Sequence, residues 1–171
     1  LCSAHMGLRR DALAHFDTVF CNGPYQEAEI RKLEALYRFK PKTLLQTGYY
    51  RLEKIHAGFK SYRQATASAS SAKKILIAPS WQKENILETC GHQLVETLLQ
   101  AGYEVIVRPH PMTIYRNPER LQRLQSDFGE QELFSLDTYT VSEQYYYEAD
   151  VLITDWSGIS MEYAFGTERP V

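Results

Sequence analysis

The sequence predicts an α/β protein built on a parallel, doubly wound sheet, and two observations carry that prediction. Lys74-Ile75-Leu76-Ile77-Ala78-Pro79 is a continuous apolar run, the kind found in strands covered on both faces. From there on, strand-like runs alternate with segments of helical period at the spacing of right-handed βαβ crossovers. In such a sheet, ligands bind beyond the carboxyl ends of the strands. Residues placed just after strands are therefore the informative ones.

The elements follow in order. Thr18-Val19-Phe20-Cys21-Asn22 is a short β-rich run, and Gly23-Pro24 follows, with Pro24 suited to a first helical turn. Residues 25–39 place Ile30, Leu33, Ala35, Leu36 and Tyr37 on a helical face. Thr43-Leu44-Leu45-Gln46 reads as a second strand, broken by Thr47-Gly48. Residues 60–74 include the small, polar stretch 64–72, which has no apolar period and is expected to be a mobile linker. After the apolar strand at 74–79, a helix is expected over 84–101 from the spacing of Ile86, Leu87, Cys90, Leu94, Val95, Leu98 and Leu99, with Gly102 as its C-terminal cap. A strand over 103–108 ends at Pro109, and a helix is expected near 118–128. A weak strand at 133–135, a short helix at 142–148, a strand at 150–155 and a helix at 157–165 complete the pattern.

Composition narrows the function classes. The chain has 171 residues, of which 44% are hydrophobic, enough for a real core. A formal net charge of -2 supplies no basic field for nucleic acid. No apolar run approaches the roughly 20 residues of a membrane span. The three cysteines, Cys2, Cys21 and Cys90, have no CxxC spacing, which argues against a disulfide framework or zinc site and for a reducing compartment. Leu1-Cys2-Ser3-Ala4-His5 reads like the end of a buried strand and Arg169-Pro170-Val171 like the start of another, so the expectation is a piece of a longer protein.

Four places carry chemistry-bearing residues, each with a bland reading beside the functional one. Arg108-Pro109-His110-Pro111 closes a strand, and its prolines stiffen the backbone that presents the His110 imidazole; a satisfied histidine in a rigid turn fits equally well. Asp155-Trp156-Ser157-Gly158-Ile159-Ser160 joins a strand to a helix. Ser157 suits an N-cap, Gly158 lets backbone approach a ligand, and the free amides and dipole suit a phosphate; plain capping is the alternative. Glu162, one turn on, suits a ribose hydroxyl or water. Gly48, Arg51 and Glu53 follow a strand and suit either a cleft or a turn with a surface ion pair. His5, with Gly7 nearby, is equally ambiguous on its own. His15, His56 and His92 read as structural or surface residues, and Tyr145-Tyr146-Tyr147 as packing.

Together these segments resemble the CDP-glycerol glycerophosphotransferases of teichoic acid synthesis. His5-Met6-Gly7 resembles the family's His-Gly motif, with Met6 intervening. Gly48-Tyr49-Tyr50-Arg51-Leu52-Glu53 resembles its Gly-Tyr-Pro-Arg-x-Asp segment, with Tyr50 for proline and Glu53 for aspartate. Ile75 to Trp81 resembles its strand ending in Ala-Pro-Thr-Trp, followed here by Gln82 where arginine is common. Arg108-Pro109-His110-Pro111 matches its Arg-Pro-His-Pro, and Asp150 to Ser157, with Ile159 and Glu162, resembles its Ala-Asp-x-Leu-Ile-Thr-Asp-Tyr-Ser-Ser-Ile pattern, with Gly158 for the second serine.

The resemblance implies a GT-B fold of two Rossmann-like halves, the chain being a fragment of a two-domain enzyme. Residues 1–59 would end the acceptor-side half, 60–72 would link, and 73–171 would form most of the nucleotide-binding half. It implies transfer of glycerol phosphate from CDP-glycerol to a hydroxyl, with CMP leaving. His5 would be the base and His110, with Arg108, would steady the pyrophosphate. Asp155, Ser157, Gly158, Ile159 and Ser160 would hold the phosphates and Glu162 the ribose. No cofactor is expected beyond the nucleotide-activated donor; no metal-ligating residues stand out in the sequence, and the metal requirement stays open. The acceptor would be a lipid-linked polymer, met by a cytoplasmic enzyme peripheral to the membrane. Rival readings are another GT-B enzyme, such as a nucleotide-sugar transferase or a UDP-GlcNAc 2-epimerase-like protein, and a non-catalytic nucleotide-binding module.

Overall fold

The computed structural model describes residues 9, 11–66, 72–138 and 143–171. They fall into two units, Leu1–Glu53 and Lys54–Val171.

In the first unit, β1 (Thr18–Cys21) and β2 (Thr43–Gln46) pair in parallel, in register from Thr18 opposite Thr43 to Cys21 opposite Gln46. The crossover between them is α1 (Pro24–Tyr37), with proline in its first turn as the sequence predicts. Cys21 and Ile30 form a small core backed by Leu13, Val19, Leu33 and Leu44. α1 stops two residues before its expected end because Arg38 turns left-handed at φ 57°. Buried Glu34 then ties the helix to β2: its carboxylate accepts the Lys42 amide at 2.8 Å and the Arg31 guanidinium at 2.8 Å.

The division falls within α2 (Tyr50–Ala65). Residues 60–65, expected to belong to a linker over 60–72, are instead the last turns of this helix. Ile55 and Phe59, one turn apart, bury the helix face, and the Arg169 guanidinium lies 4.7 Å from the Phe59 ring. A helix already anchored this way propagates through Lys60 to Ala65 at little cost. Of the stretch 64–72, expected to be a mobile linker, Gln64 and Ala65 are helical; residues 67–71 lie outside the described residues.

The second unit holds a four-stranded sheet of β3 (Lys74–Ile77), β4 (Glu104–Val107), β5 (Phe134–Leu136) and β6 (Val151–Ile153), all parallel, in the order β5-β4-β3-β6. Side chains alternate between two buried faces. Ile75, Ile77, Val105 and Val107 pack with Val95, Leu99, Leu121, Leu124 and Phe128, while Leu76, Ile106 and Leu152 pack with Ile55, Tyr146 and Tyr163. Burial on both sides is why these strands read as unbroken apolar runs.

The helix expected over 84–101 is two helices, α3 (Ile86–Thr89) and α4 (Gly91–Gln100). Cys90 leaves helical geometry at φ -132°. Gly91 packs so closely that a Cβ there would stand 3.1 Å from Leu87 Cδ2. Gly102 ends α4 at φ +80°, the left-handed cap the sequence predicts. Two further helices follow β4: α5 (Pro111–Arg116), which sequence period does not reveal, and α6 (Pro118–Phe128). After β5 come α7 (Gln144–Glu148) and, following β6, α8 (Ile159–Thr167). Tyr146 is buried in the core with Tyr145 and Tyr147 against it, which is the packing role expected of that run.

Candidate functional site

Chain order places β4 and then β5 on one side of β3, and β6 on the other. The direction of winding therefore reverses between β3 and β6, and the crevice beyond their carboxyl ends is where ligands bind in sheets of this kind. His110 follows β4, Trp81 follows β3, and Ser157 follows β6, so one edge of one sheet carries all three.

The loops at the switch point are laced together. Asp155 Oδ1 accepts the Ser80 amide at 2.6 Å, and its Oδ2 accepts the Ile86 amide at 3.0 Å. Thr154 Oγ1 donates to the Ala78 carbonyl at 2.7 Å. Asp155, expected among the phosphate-holding residues, spends both oxygens on backbone amides. It positions the loops around the crevice.

The start of α8 also differs from expectation. Gly158 is its N-cap residue, without a side-chain cap bond, and the helix begins at Ile159 instead of 157. A turn closed by the Ser157 amide on the Asp155 carbonyl at 2.8 Å delays the helix. Ser157 is thus not the side-chain cap. Its carbonyl accepts the Ser160 amide at 3.2 Å and the Ser160 hydroxyl at 2.8 Å, which turns that hydroxyl toward the chain. Gly158 sits at φ -62°, where any residue is comfortable, and a Cβ there would meet nothing within 4 Å. Neither backbone strain nor crowding within the chain demands glycine here. Glu162 lies half-buried in the first turn.

His110 is held from behind. It is the N-cap of α5, and its Nδ1 accepts the Met112 amide at 3.1 Å. The neutral ring that makes this bond carries its proton on Nε2. Burial lowers the His110 pKa, favouring that neutral form. The ring lies 6.2 Å from the half-exposed Trp81 indole, and the Arg116 guanidinium stands 5.1 Å from the same indole. Arg108 does not join this group. Its side chain is buried, its Nε is 3.5 Å from Asp137 Oδ2, and its guanidinium lies 5.3 Å from the Tyr146 ring. The sequence signal for Arg108 was its place at a strand end, but the side chain turns back to hold the base of the loop.

A cavity of about 1110 Å³ opens beside Trp81, lined also by Glu88, His92, Met112, Arg116 and Arg120. None of the residues chosen from sequence lines it. Its nearest sequence clue was Trp81, which the apolar strand delivers to the edge. Gly48, Arg51 and Glu53 belong to the first unit. Gly48 needs to be glycine, with φ +74° and a Cβ position 3.0 Å from Glu53 Oε1, while Arg51 and Glu53 are exposed. His5 lies outside the described residues. Of the remaining histidines, His92 Nε2 lies 2.9 Å from Asp127 Oδ2, and His56 Nδ1 lies 3.3 Å from the Gly166 carbonyl oxygen. Among the described residues, no helix is long and apolar enough to cross a membrane.

Comparison with known proteins agrees with this architecture. The wall teichoic acid polymerase TagF superposes with a TM-score of 0.57 at 18% identity, over 94% of this chain and 40% of that one. A TagF variant after a soak with CDPG matches with a TM-score of 0.56 at 19% identity, over 94% of this chain and 38% of that one. Methanocaldococcus jannaschii UDP-GlcNAc 2-epimerase, in complex with UDP-GlcNAc and UDP, gives a TM-score of 0.53 at 15% identity, over 88% and 43%. At these identities the likeness shows the fold alone: Rossmann-like α/β units of the GT-B type. The chain spans roughly 40% of the TagF chains it matches. No sequence match is found among curated proteins. Residues 13–171 match the family model described as CDP-Glycerol:Poly(glycerophosphate) glycerophosphotransferase. The chain belongs to that family.

Proposed function

We propose that this chain supplies the donor site of an enzyme that transfers glycerol phosphate from CDP-glycerol to a hydroxyl of a teichoic-acid-type polymer. The observation that carries the reading is the family match over residues 13–171. The parallel edge that carries His110, Trp81 and the start of α8 supports it.

The acceptor oxygen attacks the phosphorus bearing glycerol, and the bond from that phosphorus to the bridging oxygen breaks. The bridging oxygen leaves with CMP, and the acceptor proton passes to a base, the role proposed for His5. Catalysis of such a step is mostly positioning and charge stabilisation. His110 donates from Nε2 to the phosphate oxygens or to the leaving group, since its Nδ1 is committed to α5. The Ser160 amide is taken by the Ser157 carbonyl, so the Gly158 and Ile159 amides at the start of α8 hold the phosphate with the helix dipole behind them. Glu162, in the first turn of α8, takes the ribose. Arg108 and Asp155 hold the loops instead of the ligand. The acceptor is proposed to be lipid-linked and met at the cytoplasmic membrane face.

Calorimetric titration of the chain with CDP, CMP and UDP tests the reading. Tighter binding of the cytidine nucleotides supports it. Strong preference for UDP overturns it in favour of a nucleotide-sugar enzyme. Nucleotide binding without turnover in the complete enzyme favours a binding module.

A further inference from the structure

A diphosphate brings negative charge to the His110 edge, yet neither residue expected there from sequence delivers a cation. His110 uses Nδ1 to accept the Met112 amide, so a second ring proton would break the cap of α5. Arg108 is buried against Asp137 and Tyr146. An anion held only by neutral donors would keep its charge unneutralised and forgo an arginine–phosphate pair.

Arg116 fills this gap. It is the last residue of α5, the helix His110 caps, and its side chain is exposed. Its guanidinium lies 5.1 Å from the Trp81 indole, whose other neighbour is the His110 ring at 6.2 Å. One indole thus neighbours both an imidazole and a guanidinium. Contact with a ring operates through charge over the π face, so the guanidinium keeps its N–H donors for an acceptor. Trp81, Met112 and Arg116 all line the cavity of about 1110 Å³, so the charge opens onto space large enough for a ligand. Two neighbouring cations there are otherwise engaged: Arg120 Nη1 donates to the Leu87 and Glu88 carbonyls at 2.8 Å each, and Arg123 Nε is 3.6 Å from Asp127.

We propose that Arg116, positioned by Trp81, is the residue that neutralises the donor's phosphate groups beside His110. The inference rests on the donor-site reading above and adds to it a residue and a charge. Trp81 is a positioning residue: it acts by holding the guanidinium.

Calorimetry of the chain with CDP and with inorganic pyrophosphate, at two salt concentrations, tests it. Arg116→Ala is expected to weaken both ligands about tenfold and to flatten the salt dependence, with Arg116→Lys recovering part of the loss. Trp81→Leu should weaken both ligands and Trp81→Phe should restore them, because a ring face returns. Lys83→Ala, which removes another cation lining the cavity, should change affinity less than about threefold. Thermal melts matching the unsubstituted chain establish that each variant is folded. Unchanged affinity in Arg116→Ala, or an equal loss in Lys83→Ala, overturns the inference while leaving the donor reading intact. Arg116 dependence with preference for UDP keeps the inference and overturns the cytidine donor. If the unsubstituted chain binds neither CDP nor pyrophosphate, both fall.

Discussion

Asp155, in the loop after β6, accepts the Ser80 amide from the loop after β3 at 2.6 Å, across the point where the sheet changes winding direction. With its second oxygen on the Ile86 amide at 3.0 Å, one carboxylate fixes the end of β6, the end of β3 and the start of α3. The loops around the crevice are thereby ordered in advance, which is the arrangement that lowers the cost of binding a ligand.

Replacing Asp155 tests that role directly. In Asp155→Asn one oxygen remains an acceptor, while the amide nitrogen faces a backbone N–H it cannot bond. The expected cost is about 1–3 kcal/mol of stability, read from urea or thermal unfolding, together with weaker CDP binding. Full stability with lost binding would show instead that the carboxylate serves the ligand.

Gly158 separates protein needs from ligand needs. At φ -62°, with open space around its Cβ position, Gly158→Ala should leave stability within about 0.5 kcal/mol. If a phosphate approaches the backbone there, the added methyl should weaken CDP binding about tenfold or more. Ser157→Ala should weaken it only a few-fold, since the α8 amides remain. Equal affinity of Gly158→Ala and the unsubstituted chain would remove the phosphate from this helix start.

Glu34 gives the first unit a stability contribution that depends on acid pH. Burial pushes its carboxyl upward, but the Arg31 hydrogen bond, the Lys42 amide and the charges of both residues outweigh this and hold it below its ordinary value. A carboxylate depressed by folding contributes stability above its unfolded pKa, and that stability is lost as pH falls through the folded value. Acid titration of unfolding should therefore show a loss beginning below about pH 4.5 that Glu34→Gln reduces. Glu34→Gln should also lower stability at neutral pH by about 1–3 kcal/mol.

The strands of the second unit were legible because both faces are buried, which leaves unbroken apolar runs such as Ile75-Leu76-Ile77. Pro24 was legible because its ring fixes φ for a first helical turn, and Gly102 because glycine takes the left-handed φ of a helix cap without strain. The break at Cys90 was not, since the apolar spacing of Ile86, Leu87, Leu94 and Val95 runs straight across it. The fates of Arg108 and Asp155 were hidden for another reason. Their partners Asp137, Tyr146, Ser80 and Ile86 are distant in sequence and meet only when the sheet assembles. Sequence position marked the right edge of the sheet. It could not say which side chains there face outward.

His110 is where a catalytic role and a structural one can be pulled apart. Its Nδ1 caps α5, and asparagine is among the best N-cap residues, so His110→Asn should retain the cap and the fold. It lacks the Nε2 donor, so turnover of the transferase proposed above should fall about a hundredfold or more. Stability should report the ring separately. Burial lowers the folded pKa below the ordinary 6.5, so in acid the unfolded chain takes up this proton first. The stability gained by keeping the ring neutral is present above pH 6.5 and declines as pH drops from there through the folded value. His110→Asn should abolish that part of the slope and leave the part due to Glu34. A variant with near-normal turnover but an altered stability profile would make His110 a helix cap and nothing more.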